Sequence, residues 1–155
     1  MFKINSLSDK IYFLKIGLIN LVLFLAVYPI TNRILHDVYY HPFFSWELSI
    51  PLIDWMIIPY LSFNLLFLVP FFLLKKESLK LLGVSFALST LIAGIIFYVF
   101  PTEIGFTRIV PEGFTSLLYS SLFNLDMHTN LVPSLHVTYT TLYLISCIGM
   151  IKKLI

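Results

Sequence analysis

The chain has 155 residues, 59% of them hydrophobic and only 12% charged, and a mean hydropathy of +0.93. A water-soluble core of this size has no room for so much apolar surface, so the bilayer is the solvent that fits. The formal charge of +2 includes no basic arm, which argues against nucleic acid as a partner, and the single cysteine can form no intrachain disulfide.

At the amino end, Lys3, Lys10 and Lys15 precede IGLINLVLFLAVYPI, the charge and apolar order of a signal peptide. AVYPI offers no small-x-small cleavage site and sets Pro29 where a peptidase needs extended chain, so the segment reads as a retained first span. Three more apolar segments follow, giving spans at about Ile11 to Ile30, Ile57 to Leu74, Leu79 to Phe100 and Ser134 to Ile151. Each has roughly 18 to 22 residues, close to the ~20 that a helix needs to cross the hydrocarbon. With no internal repeat or low-complexity tract, residues 1–155 form a single membrane domain: an all-α membrane protein with four transmembrane helices.

The basic residues orient that bundle. Lys3, Lys10 and Lys15 flank the first span, Lys75, Lys76 and Lys80 lie between the second and third, and Lys152 and Lys153 follow the fourth. The positive-inside rule then predicts a multi-pass protein of the cell membrane with both termini cytoplasmic. Arg33 and Arg108, six of the acids (Asp37, Glu47, Asp54, Glu103, Glu112 and Asp126) and all four histidines fall on the outer side. Any chemistry faces away from the cytoplasm.

Two outer segments result. Thr31 to about Met56 is rich in aromatics (HDVYYHPFFSW) of the kind that settle at headgroup depth, where His36, Asp37 and His41 read as solvated polar groups. Residues 101–133 are too long for a plain connector. Phe106, Phe114, Leu117, Leu118, Tyr119, Leu122 and Phe123 predict a surface-lying or re-entrant helix near Thr115 to Leu125. Pro59 and Pro70 are expected to kink the second span. Thr138, Tyr139, Thr140, Thr141 and Ser146 are expected to line the bundle interior, with Cys147 packed as a small hydrophobe.

The last segment opens with NLVPSLHVTYTT. Pro133 disfavours helix at Val132, so a new helix must start here, with Ser134 as a natural N-cap and His136 in the first turn. That turn has unpaired N–H groups and the positive end of the helix dipole, which suit a phosphate. An imidazole beside the anion can give or take a proton near neutral pH. Arg108 is, with Arg33, one of two outer cations, and its planar fork matches phosphate oxygens; the plainer reading of Arg108 is headgroup snorkelling. Asp126, His128 and His136 are too loose a set for zinc, and no metal or cofactor is expected.

NLVPSLHVTY resembles the second signature of the type 2 phosphatidic acid phosphatase superfamily, in particular its inositolphosphotransferase (inositol phosphorylceramide synthase)-like branch, where a bulky residue replaces the glycine of Pro-Ser-Gly-His. FPTEIGFTR, containing Arg108, is similar to that branch's first signature, and IPLIDWMIIPYLSF to the start of its second span. The order along the chain agrees, and the resemblance covers about residues 50–151. It implies a partial version of a six-helix bundle, with Arg108 and Ser134 holding the phosphoryl group and His136 acting as general acid. Asn130, Asp126 and His128 would be supporting residues.

Two departures qualify this. The position that carries a lysine in the first signature is Pro101, so one phosphate contact is missing or supplied otherwise. The third signature, Ser-Arg followed by a nucleophilic histidine, has no counterpart, since no Ser-Arg pair occurs in the chain. The resemblance therefore implies half of a two-histidine mechanism and no turnover by this chain alone. A truncated product is the favoured explanation, ahead of complementation by a second chain or loss of catalysis. The expected partners are membrane lipids, a lipid-phosphate substrate and, under complementation, a second chain supplying the missing C-terminal helices. The rival reading is a non-catalytic membrane protein that binds phospholipid headgroups or a partner membrane chain.

Overall fold

The structure is a computed structural model, and it describes residues 7–33, 38–41, 43–70, 74–126 and 129–151. An uninterrupted run of apolar residues, with Asp9 against the dipole of the first turn, winds into α1 (Leu7–Thr31). The helix closes on itself: the Thr31 hydroxyl donates to the carbonyls of Val27 and Tyr28, and the Asn32 N–H to Tyr28. A second long helix, α3 (Lys76–Val99), begins with Glu77 in its first turn and stops where Pro101 removes the next donor. Among the described residues, these two helices are long and apolar enough to cross a membrane.

The interior positions of α3 show why it is central. Leu79, Leu82, Gly83, Thr90, Ala93, Gly94 and Phe97 are buried and recur at helical spacing, a stripe that runs the length of the helix. Gly83 and Gly94 let α1 approach closely. A Cβ at Gly83 would lie 2.4 Å from Cγ2 of Ile16, and one at Gly94 would lie 2.3 Å from Cγ1 of Val27. Small residues at such contacts let backbones come together where lipid offers no hydrophobic drive to helix pairing.

The fourth apolar segment forms α5 (Leu135–Ile151), which packs on α3. Tyr139 and Thr90 share a hydrogen bond of 2.6 Å, and the ring of Tyr139 sits 4.8 Å from that of Phe86. Two apolar clusters hold the bundle. At the lysine end Leu74, Leu79 and Leu82 gather Phe13, Phe86 and Leu142. At the opposite end, hereafter the loop end, Ala93, Phe97 and Leu135 gather Phe24, Tyr28 and Tyr139. The outward faces stay apolar, with Leu14, Leu18, Leu21 and Leu25 of α1 and Leu88, Ile92 and Ile95 of α3 exposed. A contiguous surface of that kind suits lipid rather than water.

The second apolar segment is not one α-helix. After a short 3-10 turn at Asp54–Met56, α2 (Ile57–Ser62) passes directly into 3-10 winding over Phe63–Leu68. Pro70, just past this stretch, lacks the N–H that an α-helix needs and crowds the carbonyl four residues before it, whereas Pro59 sits in the first turn of α2, where no N–H is needed. Ser62 Oγ and Asn64 Nδ2 donate instead to the carbonyls of Pro59 and Leu61 three residues back.

Two further elements sit at the loop end. β1 (Tyr39–His41) pairs in parallel with β2 (Thr102–Ile104), Tyr39 opposite Thr102, and ties the segment after α1 to the segment after α3. This pairing has no signature in the sequence, because three-residue strands carry no usable alternation. The helix predicted near Thr115 to Leu125 forms as α4 (Ser116–Leu125). Gly113, at a φ of 95° that side chains other than glycine's rarely tolerate, makes the turn that leads into it. Tyr119 is buried, whereas Phe114 and Leu117 stand 87% and 73% exposed.

The expectation that the hydroxyls of α5 line the interior needs correction. Only Tyr139 is seen to reach another helix. Thr138, Thr140 and Ser146 donate to carbonyls four residues back on their own helix, those of Ser134, His136 and Leu142, and Thr141 is exposed. A short hydroxyl finds its own helix's carbonyl before it can span the gap to a neighbour. Cys147 is half-buried and pairs with Tyr143 one turn earlier.

Candidate functional site

Ser134 caps α5 as its position after Pro133 predicts. Its Oγ accepts from the Val137 N–H at 3.4 Å and its carbonyl from the Thr138 N–H at 3.0 Å. Because the oxygen accepts, the hydroxyl proton can still be donated outward. Leu135 is buried in the loop-end cluster and pins the first turn. One residue on, His136 is exposed and lies against two rings of the second apolar segment, 5.6 Å from that of Tyr60 and 5.5 Å from that of Phe63.

Arg108 lies in the irregular segment between β2 and α4. Its Nη1 donates to the Asp126 carbonyl at 2.5 Å and its guanidinium covers the ring of Phe123 at 5.1 Å. Both contacts are to α4 and the residue that ends it, so the cation is fixed to that helix. The Asp126 carboxylate points elsewhere: its Oδ1 accepts from the Tyr28 hydroxyl at 2.5 Å. Tyr28 is itself held by Phe24 and Phe97.

Tyr60 connects the two halves. Its ring touches His136, and its hydroxyl lies within electrostatic range of both Asp126 and Arg108. The loop end thus gathers the α5 cap and His136, the Arg108–Asp126 pair, and Tyr28 and Tyr60.

Asn130, a candidate supporting residue, has a different position. It adopts a φ of 65°, a left-handed conformation that asparagine tolerates better than most residues. Its buried amide donates to the Tyr28 carbonyl at 3.2 Å and to the Thr31 hydroxyl at 2.9 Å. Beside it, Thr129 Oγ1 donates to the Asn32 carbonyl at 3.0 Å and also bonds Asn32 Oδ1. The Leu131 and Val132 N–H groups, each at 3.2 Å, close on Thr102 Oγ1. Residues 129–132 are thereby stitched to the end of α1 and to β2, which places Asn130 in the scaffold that sets where α5 begins. His36, Asp37 and His128 lie outside the described residues, as does the side chain of His41.

Position 101 is also explained. Pro101 is fully buried, and its carbonyl accepts the Tyr39 N–H at 2.8 Å, extending the β1–β2 contact. A lysine there would have to bury its ammonium. The described residues that sequence reasoning missed are Tyr28 and Tyr60. Tyr28 carries a faint signal, an aromatic hydroxyl near the polar end of a span, and Tyr60 carries none beyond its neighbour Pro59.

Comparison with family models, curated proteins and solved structures found no match.

Alongside His136 a shallow crevice, with room for little more than a water molecule, lies between the 3-10 stretch and α5 and is lined by Phe63, Phe67, Tyr139, Thr140 and Tyr143.

The cap offers a direct check on how the site is built. Ser134→Ala is expected to lower unfolding stability by about 1 kcal/mol, the usual cost of losing an N-cap. Ser134→Asp retains a cap and should unfold like the parent, while its negative charge repels an anion at the same place. Thermal unfolding of the two variants in detergent measures the difference, and equal losses would rule out capping as the role of Ser134.

Proposed function

We propose that this chain is a multi-pass membrane protein that binds phosphate esters carrying an apolar tail, of the lipid-phosphate phosphatase or phosphotransferase type that its signatures resemble. In this reading all four apolar segments cross the bilayer, the lysine end is cytoplasmic and the loop end faces outward. Ser134, the first-turn N–H groups of α5 and Arg108 hold the phosphoryl group, and His136 stands where it can protonate a leaving oxygen.

The observation that carries the proposal is the placement of two phosphate-compatible groups at one end of the bundle by independent means. Ser134 caps α5 with His136 in its first turn, and Arg108 is fixed to α4 by the Asp126 carbonyl and Phe123. No Ser-Arg pair, and hence no third signature, occurs in these 155 residues. The function proposed for them is therefore binding, and chemistry would need a nucleophile from outside these 155 residues.

The test is titration of the purified chain in nanodiscs with a short-chain phosphatidic acid and, separately, with the corresponding diacylglycerol. Saturable binding that needs the phosphate is the expected result. Equal affinity for the two lipids would sink the reading, and release of inorganic phosphate would show that a nucleophile is present after all.

A further inference from the structure

The phosphate site just described has a gap in it. The signature position that would carry a cation is Pro101, buried and engaged through its carbonyl with Tyr39, so no side chain from there reaches the loop end. A phosphoryl group held by one guanidinium, one hydroxyl and a helix terminus still has oxygens that need donors.

Among the tyrosines at this end of the bundle, Tyr28, Tyr60 and Tyr139 touch the start of α5 or belong to it, and they differ in what their hydroxyls do. Tyr28 donates to the Asp126 carboxylate, and Tyr139 is paired with Thr90. Tyr60 has no side-chain hydrogen-bond partner among the described residues. It is also the residue in touch with both halves of the site, its ring against His136 and its hydroxyl within range of Arg108 and Asp126. Its backbone is set by the turn at Asp54–Met56 and by Pro59, which together start α2, and the side chain is 44% exposed, so a ligand can reach it.

Resting on the phosphate reading above, we propose that the Tyr60 hydroxyl is a phosphoryl ligand of this site, donating to an oxygen between His136 and Arg108 in place of the donor that Pro101 cannot supply. A phenol suits the place. It stays protonated at neutral pH and donates without adding charge. It also brings a flat face that steadies the imidazole. The adjacent Asp126 carboxylate is engaged by Tyr28, which limits its repulsion of an incoming anion.

Tyr60→Phe isolates the claim, because it keeps the ring against His136 and removes one oxygen. With inorganic phosphate and short-chain phosphatidic acid as probes, the variant should bind both about ten-fold more weakly than the parent, the scale of losing a hydrogen bond to a charged group. Its thermal unfolding and its affinity for diacylglycerol should not change. If Tyr60→Phe binds like the parent while Arg108→Ala loses binding, the Tyr60 assignment is wrong and the phosphate reading stands. If the parent binds neither phosphate probe, both fall. A loss of affinity accompanied by a lower unfolding temperature would make Tyr60 a packing residue and overturn the assignment.

Discussion

Arg108→Ala is expected to weaken the binding of short-chain phosphatidic acid by about 10- to 100-fold. A charge-assisted hydrogen bond is worth roughly 1.5–3 kcal/mol, and each ~1.4 kcal/mol is a factor of ten in affinity. The loss should be large because the cation is pre-positioned. Its bond to the Asp126 carbonyl and its place over Phe123 hold the guanidinium before any ligand arrives, so little side-chain freedom remains to be lost on binding. Arg108→Lys is the informative companion. It keeps the charge but not the planar fork or the ring stacking, and an affinity between those of the parent and the alanine variant is expected. If lysine binds as tightly as arginine, simple charge attraction suffices and the anchoring by α4 has no functional meaning. Titration at two salt concentrations checks the same point, since a headgroup-snorkelling arginine would lose its effect as salt rises.

The second large effect is structural. Gly94→Leu is expected to destabilise the pairing of α1 with α3 by about 1–3 kcal/mol, the range for overpacking a tight contact. Even the Cβ of that leucine would fall 2.3 Å from Cγ1 of Val27. Valine cannot relieve the overlap by rotating, because its branched Cβ leaves one strongly preferred rotamer in a helix, so the helices themselves must separate. A cysteine pair placed across α1 and α3 reports the separation as slower crosslinking, alongside a lower unfolding temperature in detergent. Val27→Ala should restore part of the stability of Gly94→Ala, where only the Cβ has been added. Failure of that rescue would mean that Gly94 serves something other than close approach. Gly83 meets Ile16 in the same way three turns away, so a large residue there should produce a loss of similar size.

The candidate site was partly legible in the residues. Pro133 followed by Ser134 marks a helix start wherever it occurs after a loop, and the cap forms at that place. His136 in the first turn follows from counting. Asn130 could not be placed, because its partners, the Tyr28 carbonyl and the Thr31 hydroxyl, are about a hundred residues away and belong to a helix end whose approach nothing local announces. The anchoring of Arg108 was hidden for a related reason. Its acceptor is a backbone carbonyl, which every residue has, so no side chain identifies it.

The sequence by itself determined where the long helices lie and which solvent they suit, since length, hydropathy and the breaks at proline and lysine act locally along the chain. Only the tertiary structure decided that α1 and α5 pack on α3, that β1 joins β2, and that Tyr28 and Tyr60 face the same small region as Arg108 and His136. Those facts depend on steric fit between surfaces remote in sequence, and a pattern of apolar residues is the same for every partner such a surface could choose.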